Sequence, residues 1–160
     1  MKIAVASDHR GYSAKQRVIV LVEEMGHQAL DMGTDSPSSC DYTDTAYPAA
    51  KSVADKQADM GILICGSGIG MSIAANKVPG VRAALCHDEL SAQMSRRHNN
   101  SNVLCLASDA IGDELMRRIV SSWLSTEFET NSRHQRRVDK IGMIEKGQAP
   151  AEANEAETAE

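Results

Sequence analysis

An unbroken apolar run, Ile62-Leu63-Ile64-Cys65, passes directly into Gly66-Ser67-Gly68-Ile69-Gly70-Met71. A run this short and this apolar suits a strand buried on both faces, as in the middle of a parallel sheet. The glycines then allow a tight turn into a helix. Amides at a helix start have no partner within the helix. Here they point at the crevice beyond the strand's carboxyl end, where ligands bind in open α/β sheets.

The same alternation runs through most of the chain. Apolar runs predict strands over 2–7, 28–31, 60–65, 82–86 and 102–107. Longer amphipathic stretches predict helices over 13–25, 46–56, 68–77, 88–97, 113–124 and 138–146. In the first of these, Val18, Leu21, Val22 and Met25 share one face and Gly26 supplies a C-terminal stop. Asp88 is placed to cap the helix that follows it. Residues 33–44 are rich in Ser, Asp and Gly and read as a loop. Five strands alternating with helices imply an α/β, Rossmann-like three-layer αβα sandwich with a five-stranded parallel sheet. The 160 residues suit a single core. The domain is expected over 1–146. Residues 147–160 are mostly Ala and Glu with no bulky apolar side chain, so a disordered acidic tail is expected there, with a short solvated helix as the alternative.

The net charge of −5 argues against a general nucleic-acid binder, which needs a basic face. It does not exclude an anionic substrate, because two or three local arginines suffice for one phosphate. No apolar stretch approaches a membrane span. The apolar start at residues 1–6 stops at Ser7-Asp8-His9, too soon for a secretory signal. Cys40, Cys65, Cys86 and Cys105 form no CxxC pair and read as reduced thiols, so a cytoplasmic protein is expected. No His/Asp/Glu group shows ligand spacing along the sequence, so neither a metal nor a cofactor is expected.

The glycine-rich turn invites a dinucleotide reading. That fingerprint needs Gly or Ala where Met71 stands, and it normally follows the first strand rather than the third. Cys65 at the strand end fits either a packed core thiol or a reactive one. The thiolate is the reactive form, and amides at a helix start favour an anion. Arg133 and Arg137 are spaced i, i+4, so a helical turn puts both guanidinium groups on one side. That spacing suits a phosphate, or simply a solvated basic patch.

Several segments together give the chain a familiar look. These are Ser7-Asp8-His9-Arg10-Gly11, Asp41-Tyr42, 61–70 with the glycine-rich turn, Ala74-Ala75-Asn76-Lys77, His98-Asn99 and Arg133-His134-Gln135-Arg136-Arg137. In this order they resemble the type B ribose-5-phosphate isomerases, a family that includes galactose-6-phosphate isomerase subunits. The resemblance covers about residues 1–146. It implies an aldose–ketose isomerase working through an enediolate, with ribose 5-phosphate and ribulose 5-phosphate as its pair of sugars.

It also implies roles. Cys65 would be the base. Gly66, Gly68, Ile69, Gly70 and Met71 would lend backbone amides to the developing oxyanion, and Ser67 would relay protons between oxygens. Asp8 and His98 would open the sugar ring. Asn99 would hold sugar hydroxyls, Tyr42 would line the pocket, and His9, Arg133 and Arg137 would hold the phosphate. The site would lie at the interface of a homodimer, or within a tetramer. Three positions depart from the family. Met71 stands where some members carry a glutamate base, and Thr43 where proline is usual. Asp109 stands where many carry a phosphate-binding arginine, which leaves Arg10, Arg133 and Arg137 for the phosphate. Asp109 keeps open a different sugar or a six-carbon sugar phosphate, and a non-catalytic sugar-phosphate-binding protein is the remaining alternative.

Overall fold

In a computed structural model, residues 1–130 and 132–150 are described. The acidic stretch over 151–160, most of the expected tail, lies outside them. The elements follow the order β1 (Lys2–Ser7), α1 (Tyr12–Glu24), β2 (Gln28–Asp31), α2 (Tyr42–Ala54), β3 (Met60–Cys65), α3 (Ile69–Ala75), β4 (Ala83–Leu85), α4 (Glu89–Asn99), β5 (Val103–Ala107), α5 (Asp113–Ser125) and α6 (Arg133–Glu145).

The five strands form one sheet in the order β2-β1-β3-β5-β4, with every pairing parallel. Alternation along the strands builds two cores. Ile3, Val5, Ile62, Ile64, Leu104 and Leu106 face α1, α4 and α5, whose Val18, Ala92, Ile119 and Trp123 complete that layer. Ala4, Ala6, Leu63, Cys65, Val103 and Cys105 face α2 and α3, through Ala46, Ala50, Val53, Met71 and Ala75. Small residues dominate the second core, so α2 and α3 lie close to the sheet. The three-layer α/β sandwich expected from the sequence is therefore the fold.

Asp88 caps α4 as predicted. Its side chain accepts the Ser91 N–H at 2.6 Å in a reciprocal capping box. Two helices begin earlier than their apolar residues indicate. α2 starts at Tyr42 rather than Ala46, because Asp41 turns the chain into the helix and Pro48 is accommodated inside it. α6 starts at Arg133 rather than Val138. Ser132 Oγ caps it by accepting the His134 N–H at 3.1 Å, and its first turns carry only polar side chains. Both Arg133 and Arg137 thus sit on one helix. Among the described residues no helix is long and apolar enough to cross a membrane.

Ile62 lies at the centre of the central strand and is fully buried. Ile62→Ala should lower the unfolding free energy by about 2–5 kcal/mol in a denaturant titration.

Candidate active site

The chain reverses its direction of travel across the sheet between β1 and β3. β1 connects to β2 on one side, and β3 leads toward β5 and β4 on the other. A crevice opens beyond the carboxyl ends at such a switch. The Asp8 N–H continues the ladder by donating to Ile64 C=O at 3.1 Å, so the segments leaving β1 and β3 start side by side. Asp8 is only 6% exposed. Its Oδ1 accepts the N–H groups of Arg10 and Gly11, each at 2.9 Å, which ties the carboxylate to the first turn before α1.

Cys65 ends β3 and is buried, and its Sγ accepts the Gly68 N–H at 3.1 Å. Gly68 has φ +72°, and a methyl group there would fall 2.4 Å from Leu85 Cδ1 and 3.0 Å from the Leu106 carbonyl carbon. Only glycine lets the turn fold back tightly enough to bring that amide onto the sulfur. The Ile69 N–H donates to Ser67 Oγ at 3.3 Å. The first i to i−4 bond of α3 runs from the Ser72 N–H to Gly68 C=O, so the Gly70 and Met71 amides precede it. Met71 is fully buried and packs in the core with Cys65, which makes it a structural side chain beneath the turn. The Tyr42 ring covers the turn from α2, where a methyl on Gly70 would lie 2.7–2.9 Å from its atoms.

The other cysteines have different surroundings. Burial pushes the Cys86 and Cys105 thiols up, and for Cys105 the neighbouring Cys65 and Cys86 add to the effect. These two are neutral core thiols. Cys65 alone of the three sits at the crevice with an amide aimed at its sulfur. All four cysteines are free.

The rim carries charge. Arg10 Nε donates to Asp109 Oδ2 at 2.8 Å, and Arg10 Nη2 lies 2.6 Å from the same oxygen. The pair closes over Gly66, where a methyl would meet Asp109 Oδ2 at 2.6 Å, and the Asp109 N–H donates to Gly66 C=O at 3.0 Å. Asp109 therefore faces the site, and the charge of Arg10 is balanced by it. His9 is oriented by the backbone of Cys40, whose N–H lies 3.3 Å and whose carbonyl lies 3.1 Å from Nδ1.

The remaining candidates lie elsewhere. α4 runs back along the sheet, so His98 and Asn99 come just before β5 begins, whereas Cys65 is in register with Ala107 at its end. At ~3.3 Å per residue the two groups are roughly 15 Å apart along the sheet. α6 packs on α4 at that far end. There the His98 and His134 rings stack with centroids 4.0 Å apart and planes 8° from parallel. Arg133 and Arg137 are exposed on α6, and Asn99 lines a cleft of about 420 Å³ with Arg82, Ile141 and Ile144. One chain brings together Asp8, His9, Tyr42, Cys65 and the glycine turn. It does not bring His98, Asn99, Arg133 or Arg137 to them.

Sequence spacing offered no metal ligand set, yet folding gathers one group of the right chemistry. His98, Glu129 and His134 place ligand atoms within 4.8 Å of one another. A metal lies in the plane of each imidazole that binds it, and two planes stacked face to face share no such point. The trio as arranged is a ring stack beside a carboxylate. This stack, like the Arg10–Asp109 pair, joins residues far apart in sequence and left no local signal.

The chain belongs to the Ribose/Galactose Isomerase family, whose profile matches residues 3–141. It is 45% identical over 144 residues to ribose-5-phosphate isomerase B of Escherichia coli, covering 90% of this chain and 96% of that one. It is 39% identical over 146 residues to D-erythrulose-4-phosphate isomerase of Pectobacterium atrosepticum, covering 91% and 95%. The solved ribose-5-phosphate isomerase B of Clostridium thermocellum superposes with a TM-score of 0.90 at 46% identity, over 92% of this chain and 99% of that one. The Mycoplasma genitalium ribose-5-phosphate isomerase B with bound ribulose-5-phosphate gives 0.87 at 41% identity, over 91% and 96%.

Gly80 and Gly68 both have positive φ, but nothing lies within 4 Å of a methyl at Gly80. Gly68→Ala should therefore cost more than about 1 kcal/mol in a denaturant melt and clearly exceed Gly80→Ala measured alongside.

Proposed function

We propose that this chain is an aldose–ketose isomerase interconverting ribose 5-phosphate and ribulose 5-phosphate, with Cys65 as the base. The observation that carries this reading is the Gly68 N–H held 3.1 Å from Cys65 Sγ at the sheet's switch point. From aldose to ketose, the Cys65 thiolate removes the proton on C2. The electron pair forms the C1–C2 double bond, and the carbonyl oxygen O1 becomes the enediolate oxyanion. Amides at the start of α3 stabilise that charge. Ser67 moves a proton from O2 to O1, and Cys65 returns its proton to C1. Met71 has no proton-accepting group, so the carbon proton falls to Cys65.

Most of the sugar is a furanose, and the ring must open first. The C1–O4 bond breaks, O4 takes a proton from His98, and O1 loses one to Asp8 as the carbonyl forms. His98, Asn99, Arg133 and Arg137 come from a second copy of the chain. Their separation from Cys65 within one chain supports this. So do the exposed apolar side chains Ile69, Ile73 and Tyr47 on α3 and α2, which a partner would cover. Tyr42 and Asn99 contact sugar hydroxyls, while His9, Arg133 and Arg137 hold the phosphate. The free cysteines suit a reducing, cytoplasmic setting.

The Arg10–Asp109 pair favours a second reading, a sugar phosphate of another length. A balanced pair offers hydrogen bonds to hydroxyls rather than charge to a phosphate. Comparing tetrose 4-phosphates, pentose 5-phosphates, hexose 6-phosphates and free pentoses as substrates decides between the two.

Cys65→Ser should lower kcat on ribose 5-phosphate by about 10²–10⁴-fold with the fold retained, since a serine hydroxyl is not ionised near neutrality. Near-normal turnover would remove Cys65 from the mechanism. Arg137→Ala should raise KM by one to several orders of magnitude, the scale of a charged contact worth ~2–5 kcal/mol. A shared site makes a sharper demand. Cys65→Ser and His98→Asn proteins, each inactive alone, should recover about a quarter of wild-type activity when their subunits are exchanged, because half of the mixed dimer's sites are intact. No recovery after verified exchange would place each site within one chain.

A further inference from the structure

His134 has no part in the reaction described above, yet it is the one buried residue of α6. The other residues in the first turns of α6 are polar and partly or fully exposed. Its ring lies flat against His98 with centroids 4.0 Å apart. Such a contact fixes the plane of a side chain that otherwise has free rotamers at a helix end.

The surroundings hold the lower ring still. Ser132 Oγ accepts the His134 N–H and donates to Glu129 C=O at 2.8 Å. The Glu129 N–H in turn donates to Arg97 C=O at 3.1 Å, and its carboxylate lies 3.4 Å from Arg97 Nε. Arg97 precedes His98 on α4, so the segment between α5 and α6 is fastened to the backbone that carries His98. The charged groups acting on His134 are Glu129 from that segment and Arg133 and Arg137 from α6. Burial above all, then His98 and the two arginines, push the His134 imidazole below its usual range, and Glu129 opposes them.

We propose that His134 is a positioning residue for His98: it stacks on the ring and holds it in the one orientation from which it delivers a proton to the substrate's ring oxygen. This rests on the ring-opening role given to His98. His134 itself neither touches the sugar nor transfers a proton. What the stack requires of residue 134 is a flat, uncharged ring of about the same size.

The test compares His134→Ala with His134→Phe in the full-length protein on ribose 5-phosphate, with His98→Asn as reference. His134→Ala should lower kcat by about tenfold with KM nearly unchanged, because a misaligned acid slows ring opening without weakening phosphate binding. His134→Phe, which keeps a flat ring and discards both nitrogens, should restore kcat to within about threefold of wild type. Melting temperatures for all three show whether a loss is merely unfolding. The proposal is overturned if His134→Phe is as slow as His134→Ala at equal stability, since the imidazole nitrogens would then matter. It is also overturned if His134→Ala leaves kcat unchanged, or raises KM instead, which would assign His134 to the phosphate site. An inert His98→Asn substitution would point elsewhere, because the ring-opening role itself would have failed whatever the residue 134 variants do.

Discussion

The hydrogen bond from the Asp8 N–H to Ile64 C=O holds the site end of this molecule together. It carries the β1–β3 ladder one residue past the end of β1, so the two connections depart from the same level of the sheet. Asp8 then turns into α1 and Cys65 into α3. A ladder that stopped one residue earlier would let them diverge. The contacts around it reinforce the same point. Ser7 C=O accepts Thr45 Oγ1 from α2 at 3.0 Å and the Thr34 N–H at 3.0 Å, and its own N–H donates to Gly33 C=O at 2.7 Å. Lys15, fully buried, is ion-paired with Asp31, whose carboxylate also accepts the Gly33 N–H at 3.0 Å. Helix, loop and strand are thereby tied at the mouth of the crevice.

Charge at this mouth is arranged in opposed pairs. Arg10 is met by Asp109, and Lys15 by Asp31. Arg133 and Arg137 of α6 differ, since both are exposed at the other end of the sheet. In the proposed reaction the phosphate's cations would therefore lie on a different surface from the base. Under that proposal binding and chemistry would come from opposite ends of the fold, and assembly of two chains would join them. An Asp at 109 is tolerable in such a scheme because its partner lies beside it in the same chain.

What could be read from sequence was whatever depends on local order. The apolar runs located β1, β3 and β5 to within about a residue, because a strand buried on both faces leaves an unbroken apolar signature, and the shorter edge strands β2 and β4 fell within a residue too. The glycine turn and Cys65 were legible for the same reason: φ beyond the reach of other residues at Gly68 leaves a glycine in the sequence. The start of α6 was missed because Arg133-His134-Gln135-Arg136-Arg137 presents no apolar stripe, and a serine cap alone is a faint signal. Asp109's partner was invisible, being 99 residues away. The division of the candidate residues between two ends of the sheet follows from the direction of α4, which periodicity does not report.

The strand order also governs how the chain reaches this state. β5 lies between β3 and β4, so β4 pairs with no other strand. A chain growing from its N-terminus can assemble β2, β1 and β3 and cover them with α1 and α2. The free edge of β3 then waits. Residues 83–85 have no strand to join until residues 103–107 emerge and insert between them and β3. Sheet completion is therefore one late, non-local event, and such closures are slow because loop entropy is lost before any contact is gained. Meanwhile Ile62, Leu63 and Ile64 carry an open row of amides and carbonyls, the kind of edge that pairs with a second chain. The strand that leads into the glycine turn is thus also the one most exposed to misassembly during synthesis.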